Sequence, residues 1–151
     1  MKIVGGKSEY GVEVGNFYDK YNSKNPIVKV LMQGFALNLN ALVNMTGAKD
    51  IHEVGCGEGY WINQWATKGV EIQGSDFSRI AIDLAEQNLN PTEQNISLKV
   101  KDIYDLRTQE DSATLVVCCE VLEHLEQPRK ALEILRNIAN PYIILGVPRE
   151  P

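Results

Sequence analysis

Apolar and polar positions along this 151-residue chain change rhythm near residue 50. Before that point, Asn25-Pro26 marks a helix start, and Ile27, Val30, Leu31, Gly34, Phe35, Asn38, Leu39 and Leu42 recur close to one helical stripe running towards Thr46. The stripe predicts a long amphipathic helix with this face turned inward. The stretch up to Asn25 mixes Gly, Tyr, Asn and charges without a sustained period, so it reads as an irregular arm with one helical turn near 16–21. From Asp50 onward, short apolar runs at 51–54, 70–74, 96–101, 114–119 and 142–147 alternate with helical segments at 60–68, 78–88 and 128–139. Ser78 is a natural N-cap, Ala81, Leu84 and Ala85 face inward behind it, and Asn90-Pro91 ends that helix. Strand and helix in alternation predict an α/β fold, an open doubly wound and mostly parallel sheet. The expected division is an arm over 1–25 and one domain over 26–151.

Composition narrows the function classes. With 44% hydrophobic and 23% charged residues the chain is a globular one of single-domain length. No apolar run is read as reaching the roughly 20 residues of a bilayer span, and the N-terminus lacks a signal-peptide core. The expectation is therefore a cytoplasmic protein without membrane insertion. A net charge of −5 with scattered basic residues offers no stripe for a phosphate backbone, so no nucleic-acid partner is expected. Cys118 and Cys119 are adjacent inside an apolar run, and with Cys56 they read as reduced core thiols. His52 and His124 lack the spacing of zinc ligands, so no metal is expected. Trp61 and Trp65, at helical spacing, read as packing residues.

The chemistry concentrates in three turns. Glu53-Val54-Gly55-Cys56-Gly57-Glu58-Gly59 follows the first strand and opens a helix. Gly55 and Gly57 permit positive φ and close approach of backbone to a ligand. Their spacing is G-x-G-x-G, whereas a pyrophosphate-binding dinucleotide loop needs G-x-G-x-x-G. Glu53, at the strand end, would repel a pyrophosphate and accept hydrogen bonds from an ammonium, which favours a zwitterionic ligand. The second turn is Gly74-Ser75-Asp76-Phe77-Ser78. Asp76 stands about 20 positions after the first glycine, the offset at which a carboxylate meets a ribose diol, and Phe77 is placed to lie against adenine. In the third, Lys101-Asp102-Ile103, Asp102 is suited to accept from an adenine amino group while the Ile103 amide donates to a ring nitrogen. Taken alone, Asp102 is more often a turn residue.

Together with Cys119-Glu120-Val121-Leu122-Glu123-His124-Leu125, these landmarks resemble the class I S-adenosylmethionine-dependent methyltransferases, and within them the type 11 small-molecule group that includes ubiquinone-biosynthesis-like enzymes. The resemblance runs from about residue 50 to 148. It implies a Rossmann-like sheet of strand order 3-2-1-4-5. In the family a further helix and two more strands follow, so the chain is expected to be C-terminally truncated. The resemblance also implies that Gly55, Cys56, Gly57 and Gly59 line the methionine and ribose end of the cofactor, with Glu53 beside them. Asp76 then holds the ribose, Phe77 flanks adenine, and Asp102 with Ile103 reads the base. Glu120 and Val121 contact the cofactor or face the acceptor. The arm, with Tyr10, Tyr18 and Tyr21, resembles the segment that closes over the cofactor.

Methyl transfer from a sulfonium needs alignment more than catalytic groups, and sometimes removal of a proton. His124 is the candidate catalytic base, since a histidine in this element lies near the acceptor side in relatives. The expected activity is methyl transfer from S-adenosylmethionine to a small-molecule acceptor by direct displacement, with S-adenosylhomocysteine as product. A non-catalytic cofactor-binding module is the alternative. An NAD-dependent oxidoreductase is disfavoured by the glycine spacing and by Glu53. Oligomeric state is not legible in the sequence.

Overall fold

Alternation of side chains explains the deepest strand. Along Ala113–Cys119 (β6), Leu115 and Val117 turn to one face of the sheet and Val116 and Cys118 to the other, and all four are buried. The computed structural model of the chain describes residues 1–15, 20, 22–66, 69–89 and 95–148. In chain order its elements are strands Ser8–Glu9 (β1) and Val12–Glu13 (β2), helix Pro26–Thr46 (α1), strand Asp50–Val54 (β3) and helix Tyr60–Ala66 (α2). Strand Glu71–Asp76 (β4), helix Arg79–Asn88 (α3), strand Ile96–Val100 (β5) and helix Thr108–Asp111 (α4) precede β6. Helix Pro128–Ile138 (α5) and strand Ala139–Gly146 (β7) follow it.

Among the described residues, five strands form one parallel sheet in the order β5-β4-β3-β6-β7, which is the expected 3-2-1-4-5 order. On one face α1 and α2 bury Leu39, Val43, Trp61, Ile62 and Trp65 against Ile51, Ile72, Leu115 and Val117. On the other, Ala131, Leu135 and Ile138 of α5 cover Val54, Val116 and Cys118. Ser78 caps α3 as expected, its hydroxyl accepting from Ala81 N at 3.0 Å. Asn90-Pro91 lies outside the described residues. The last strand begins earlier than its apolar run, directly after α5, and its register against β6 shifts between Ala113 and Leu115. The bulge falls at Asn140-Pro141, where proline has no N–H to give a ladder, and β7 as an edge strand tolerates it.

Three expectations change. The stripe of Ile27, Val30, Leu31 and Leu42 faces outward, because α1 packs instead through Leu39 and Val43 with half-buried Phe35 and Ala36. By length and composition α1 is also long and apolar enough to cross a bilayer, which the apolar runs did not predict, since its scattered Asn and Gln interrupt the run and Lys29 alone charges it. The arm, expected to be irregular, forms a hairpin of β1 and β2 around Tyr10-Gly11, whose φ values of 53° and 81° suit a tight antiparallel turn. Val4 and Val14 then bury themselves on Ala81 of α3. Tyr10 is 94% exposed at the hairpin tip. Tyr18, Tyr21 and, Lys20 apart, the helical turn expected near 16–21 lie outside the described residues.

Candidate active site

At the carboxyl end of β3 the chain turns sharply at Gly55, with φ +76°, and a Cβ there would stand 2.3 Å from Val121 Cγ2. The turn consumes its own amides. Gly55 N and Cys56 N donate to Ser75 O at 2.7 and 3.0 Å, Gly57 N donates to Asp76 Oδ2 at 2.9 Å, and Gly59 N donates to Cys56 O at 3.0 Å. A phosphate cradle needs such N–H groups aimed at the ligand. These four are taken, so the loop offers close approach rather than anion binding. Gly57 is the open position, with nothing within 4 Å of where its Cβ would lie. The Cys56 side chain enters the core, and Gly59 faces Ala85 of α3, where a Cβ added at the glycine would stand 3.1 Å from the alanine Cβ.

Two carboxylates flank this turn. Asp76, the last residue of β4, accepts from Gly57 N through Oδ2 and from Ser78 N through Oδ1, both at 2.9 Å. Burial raises its pKa above the ordinary aspartate value, and the two amides oppose that shift. Glu53 is 5% exposed, and among the described residues its Oε2 has no hydrogen-bond partner. Burial pushes its pKa well above the usual carboxylate range, the Ile62 amide pulls the other way, and the nearby Asp76 charge adds to the rise. An orphaned buried acceptor is uncommon and calls for a partner that arrives from outside.

The remaining predicted residues stand on the same edge of the sheet. Asp102 follows β5 and caps the short 3-10 turn Ile103–Asp105, accepting from Tyr104 N at 2.9 Å, while Ile103 is buried under it. Glu120 follows β6 with φ +56°, a left-handed conformation that non-glycine residues seldom adopt, and its carboxylate pairs with Lys20. Val121 rests on Gly55. Phe77 is half-buried beside Asp76 and packs with Val4, Val14 and Ala81, so the arm reaches the rim of the site. His124 ends the 3-10 turn Leu122–His124, largely exposed, its Nε2 4.0 Å from Glu123 Oε1. A separate open cleft of about 600 Å³, lined by Asp50, Glu71, Gln73, Asn95 and Ser112, lies at the amino ends of the strands. Open α/β sheets bind ligands at the carboxyl ends, which is where the carboxylates and the glycine turn converge.

Residues 51–141 match a family model described as a methyltransferase domain. The chain belongs to the methyltransferase-domain family. Among curated proteins it is similar to the ubiquinone biosynthesis O-methyltransferase of Coxiella burnetii, 28% identical over 93 residues, covering 62% of this chain and 40% of that protein. It is likewise similar to the enzyme of that name from Paraburkholderia xenovorans, 29% identical over 106 residues, covering 68% of this chain and 44% of the other. The chain thus spans less than half the length of these relatives. A solved magnesium protoporphyrin IX methyltransferase from Synechocystis, with bound S-adenosylhomocysteine, superposes with a TM-score of 0.71 at 22% identity, over 85% of this chain and 62% of that one. That likeness establishes the Rossmann-like methyltransferase architecture.

Within this methyltransferase domain the structure adds residues that sequence reasoning passed over. Glu58, given no role from the sequence, is 1% exposed, and its Oε1 accepts from Val4 N at 3.0 Å, tying the arm to the glycine turn. His52 lies beneath the site with Nδ1 2.7 Å from Asp111 O and Nε2 2.9 Å from Ser75 Oγ. A carbonyl only accepts, so Nδ1 carries the proton and the Ser75 hydroxyl donates to Nε2. Burial lowers the His52 pKa, against the opposing pull of the Asp111 carbonyl. Ser75 is the residue whose carbonyl holds Gly55 and Cys56, so this methyltransferase domain sets its loop through a buried neutral histidine. Asp111 in turn is fully buried. Burial works to raise its pKa, but Lys101 Nζ at 2.7 Å and the Arg107 amide outweigh it and the net shift is downward.

Proposed function

We propose that this domain binds S-adenosylmethionine at the carboxyl ends of β3 and β4 and transfers its methyl group to a small-molecule acceptor by direct displacement. The observation that carries the reading is the unpartnered Oε2 of Glu53 beside a glycine turn in which the amides of Gly55, Cys56, Gly57 and Gly59 are already engaged. That pairing suits a ligand with an ammonium and no phosphate. Asp76 retains lone pairs beyond the two it spends on backbone amides, enough to accept from a ribose diol. Phe77 supplies an apolar wall, and Asp102 and Ile103 stand on the adenine side. Gly57 leaves room for the ligand to approach the backbone. When bound, the cofactor supplies a methyl group already activated by its sulfonium, so the protein has mainly to align the acceptor and exclude water. Glu120, Val121 and His124 face the acceptor side, with His124 taking a proton where the acceptor must lose one. The arm covers the nucleoside end.

Calorimetric titration tests the reading directly. S-Adenosylhomocysteine should give a saturable heat and NADH none; saturable binding of NADH, or of neither ligand, would overturn it.

Glu53 adds a pH signature with a definite sign. Its pKa is raised in the folded protein, so at low pH the carboxyl is neutral and cannot pair with an ammonium. Affinity for S-adenosylhomocysteine should therefore climb with pH until the raised Glu53 pKa is passed, and then level off, with a proton released on binding. Asp76, shifted in the same direction, contributes to the slope, so Glu53→Gln should flatten it in part and weaken binding at high pH most. An identical pH profile in wild type and Glu53→Gln would remove Glu53 from the ammonium site.

A further inference from the structure

Helix α1 has two apolar faces, and among the described residues only one is covered. Its inner face packs on Trp61 and Trp65, and Asn40 Oδ1 accepts from Trp65 Nε1 at 3.1 Å. Its outer face exposes Ile27 (70%), Val30 (68%), Leu31 (67%), Leu37 (73%), Leu42 (48%) and Met45 (82%). Six large apolar side chains in line along about 30 Å of helix exceed the scattered exposure of an ordinary surface. The charge around them is equally uneven. Lys24 and Lys29 stand exposed at the start of α1 and Lys49 just past its end, and the sequence holds no Asp or Glu between Asp19 and Asp50, although the whole chain carries −5. The helix is thus an apolar ridge with cations at both ends on an otherwise acidic molecule.

We propose that α1 docks this domain on an anionic lipid surface, lying in the plane of the interface. The ridge enters the boundary between headgroups and acyl chains while Lys24 and Lys49, at its two ends, meet lipid phosphates, the arrangement that holds interfacial amphipathic helices. Spanning is excluded by the inner face: to cross a bilayer α1 would have to leave Trp61 and Trp65 and expose Leu39 and Val43. A second copy of the chain is a poorer occupant, because two α1 helices face to face bring lysine against lysine with no carboxylate on either helix to pair them. The acidic remainder of the molecule is repelled by the same lipids, which orients the domain with α1 downward.

Vesicle flotation of the full chain is the test. It should float with phosphatidylcholine vesicles containing phosphatidylglycerol, much less with phosphatidylcholine alone, and less as salt is raised. Leu31→Glu/Leu37→Glu should lower the partition about tenfold or more, with an unchanged melting temperature because both side chains are solvent-exposed in the fold. Lys24→Gln/Lys49→Gln should weaken binding to the anionic vesicles alone. Failure of the wild type to float with anionic vesicles, equal flotation with neutral ones, or flotation of the leucine variant at the wild-type level would each overturn the proposal. So would a dimer in sedimentation that the leucine variant dissolves without any vesicle binding by the wild type, since the ridge would then be a contact between copies.

Discussion

Asp76→Ala should lower the affinity for S-adenosylhomocysteine about ten- to a hundredfold, the equivalent of roughly 1.5–3 kcal/mol for the proposed charge-assisted pair to the ribose diol. On the proposed reading the side chain has two jobs at once. Its remaining lone pairs would accept from the sugar, while Oδ1 and Oδ2 hold Ser78 N and Gly57 N and so fix the start of α3 and the open glycine of the turn. Alanine removes the diol acceptor and releases Gly57 together. Asp76→Asn separates the effects, since the amide oxygen can keep one backbone contact without the charge; it should bind more weakly than wild type and more tightly than Asp76→Ala. Isothermal titration at one pH measures all three proteins, and unchanged affinity in Asp76→Ala would end the ribose assignment.

The largest stability effect is expected at Trp65. Its side chain is fully buried, lies 6.1 Å from Trp61 in a stacked pair, and donates to Asn40 Oδ1 at 3.1 Å, so it is the joint between α1, α2 and the sheet. Truncating a buried tryptophan to alanine costs about 3–5 kcal/mol through lost transfer energy and the cavity left behind. In a domain of this size that is a melting temperature lower by roughly 10–20 °C. Trp65→Phe should fall between, since it restores much of the volume but leaves Asn40 without its donor. Thermal unfolding followed by circular dichroism checks both, and a Trp65→Ala protein melting within a few degrees of wild type would show that α1 is not anchored there. The same result would weaken the argument that α1 lies flat, because that argument rests on its inner face being held.

Features encoded within a short stretch of chain were legible without coordinates. The five strands, the Ser78 cap, the glycine turn and the offset from Gly55 to Asp76 are all local: each depends on a period, a cap or a crossover length. Features that depend on a distant partner were not. Nothing near Glu58 in the sequence points to Val4, which comes to it from the arm, and nothing near His52 points to Asp111 and Ser75, which supply its two partners. The outward face of α1 is the same case. Its apolar residues make two stripes, and periodicity has no means of ranking them; the tryptophans of α2 took Leu39 and Val43, and Ile27, Val30 and Leu31 were left outside.

By itself, then, the sequence determined the alternation of strand and helix, the strand order its resemblance implied, and the place of the glycine turn at 53–59. Tertiary structure alone decided that Glu53 Oε2 is left without a partner, which amides are already engaged, and which side of α1 meets solvent. The division has one physical cause. Backbone periodicity and turn geometry are written in neighbouring residues, whereas burial and hydrogen-bond satisfaction belong to pairs that meet only when the chain has closed on itself.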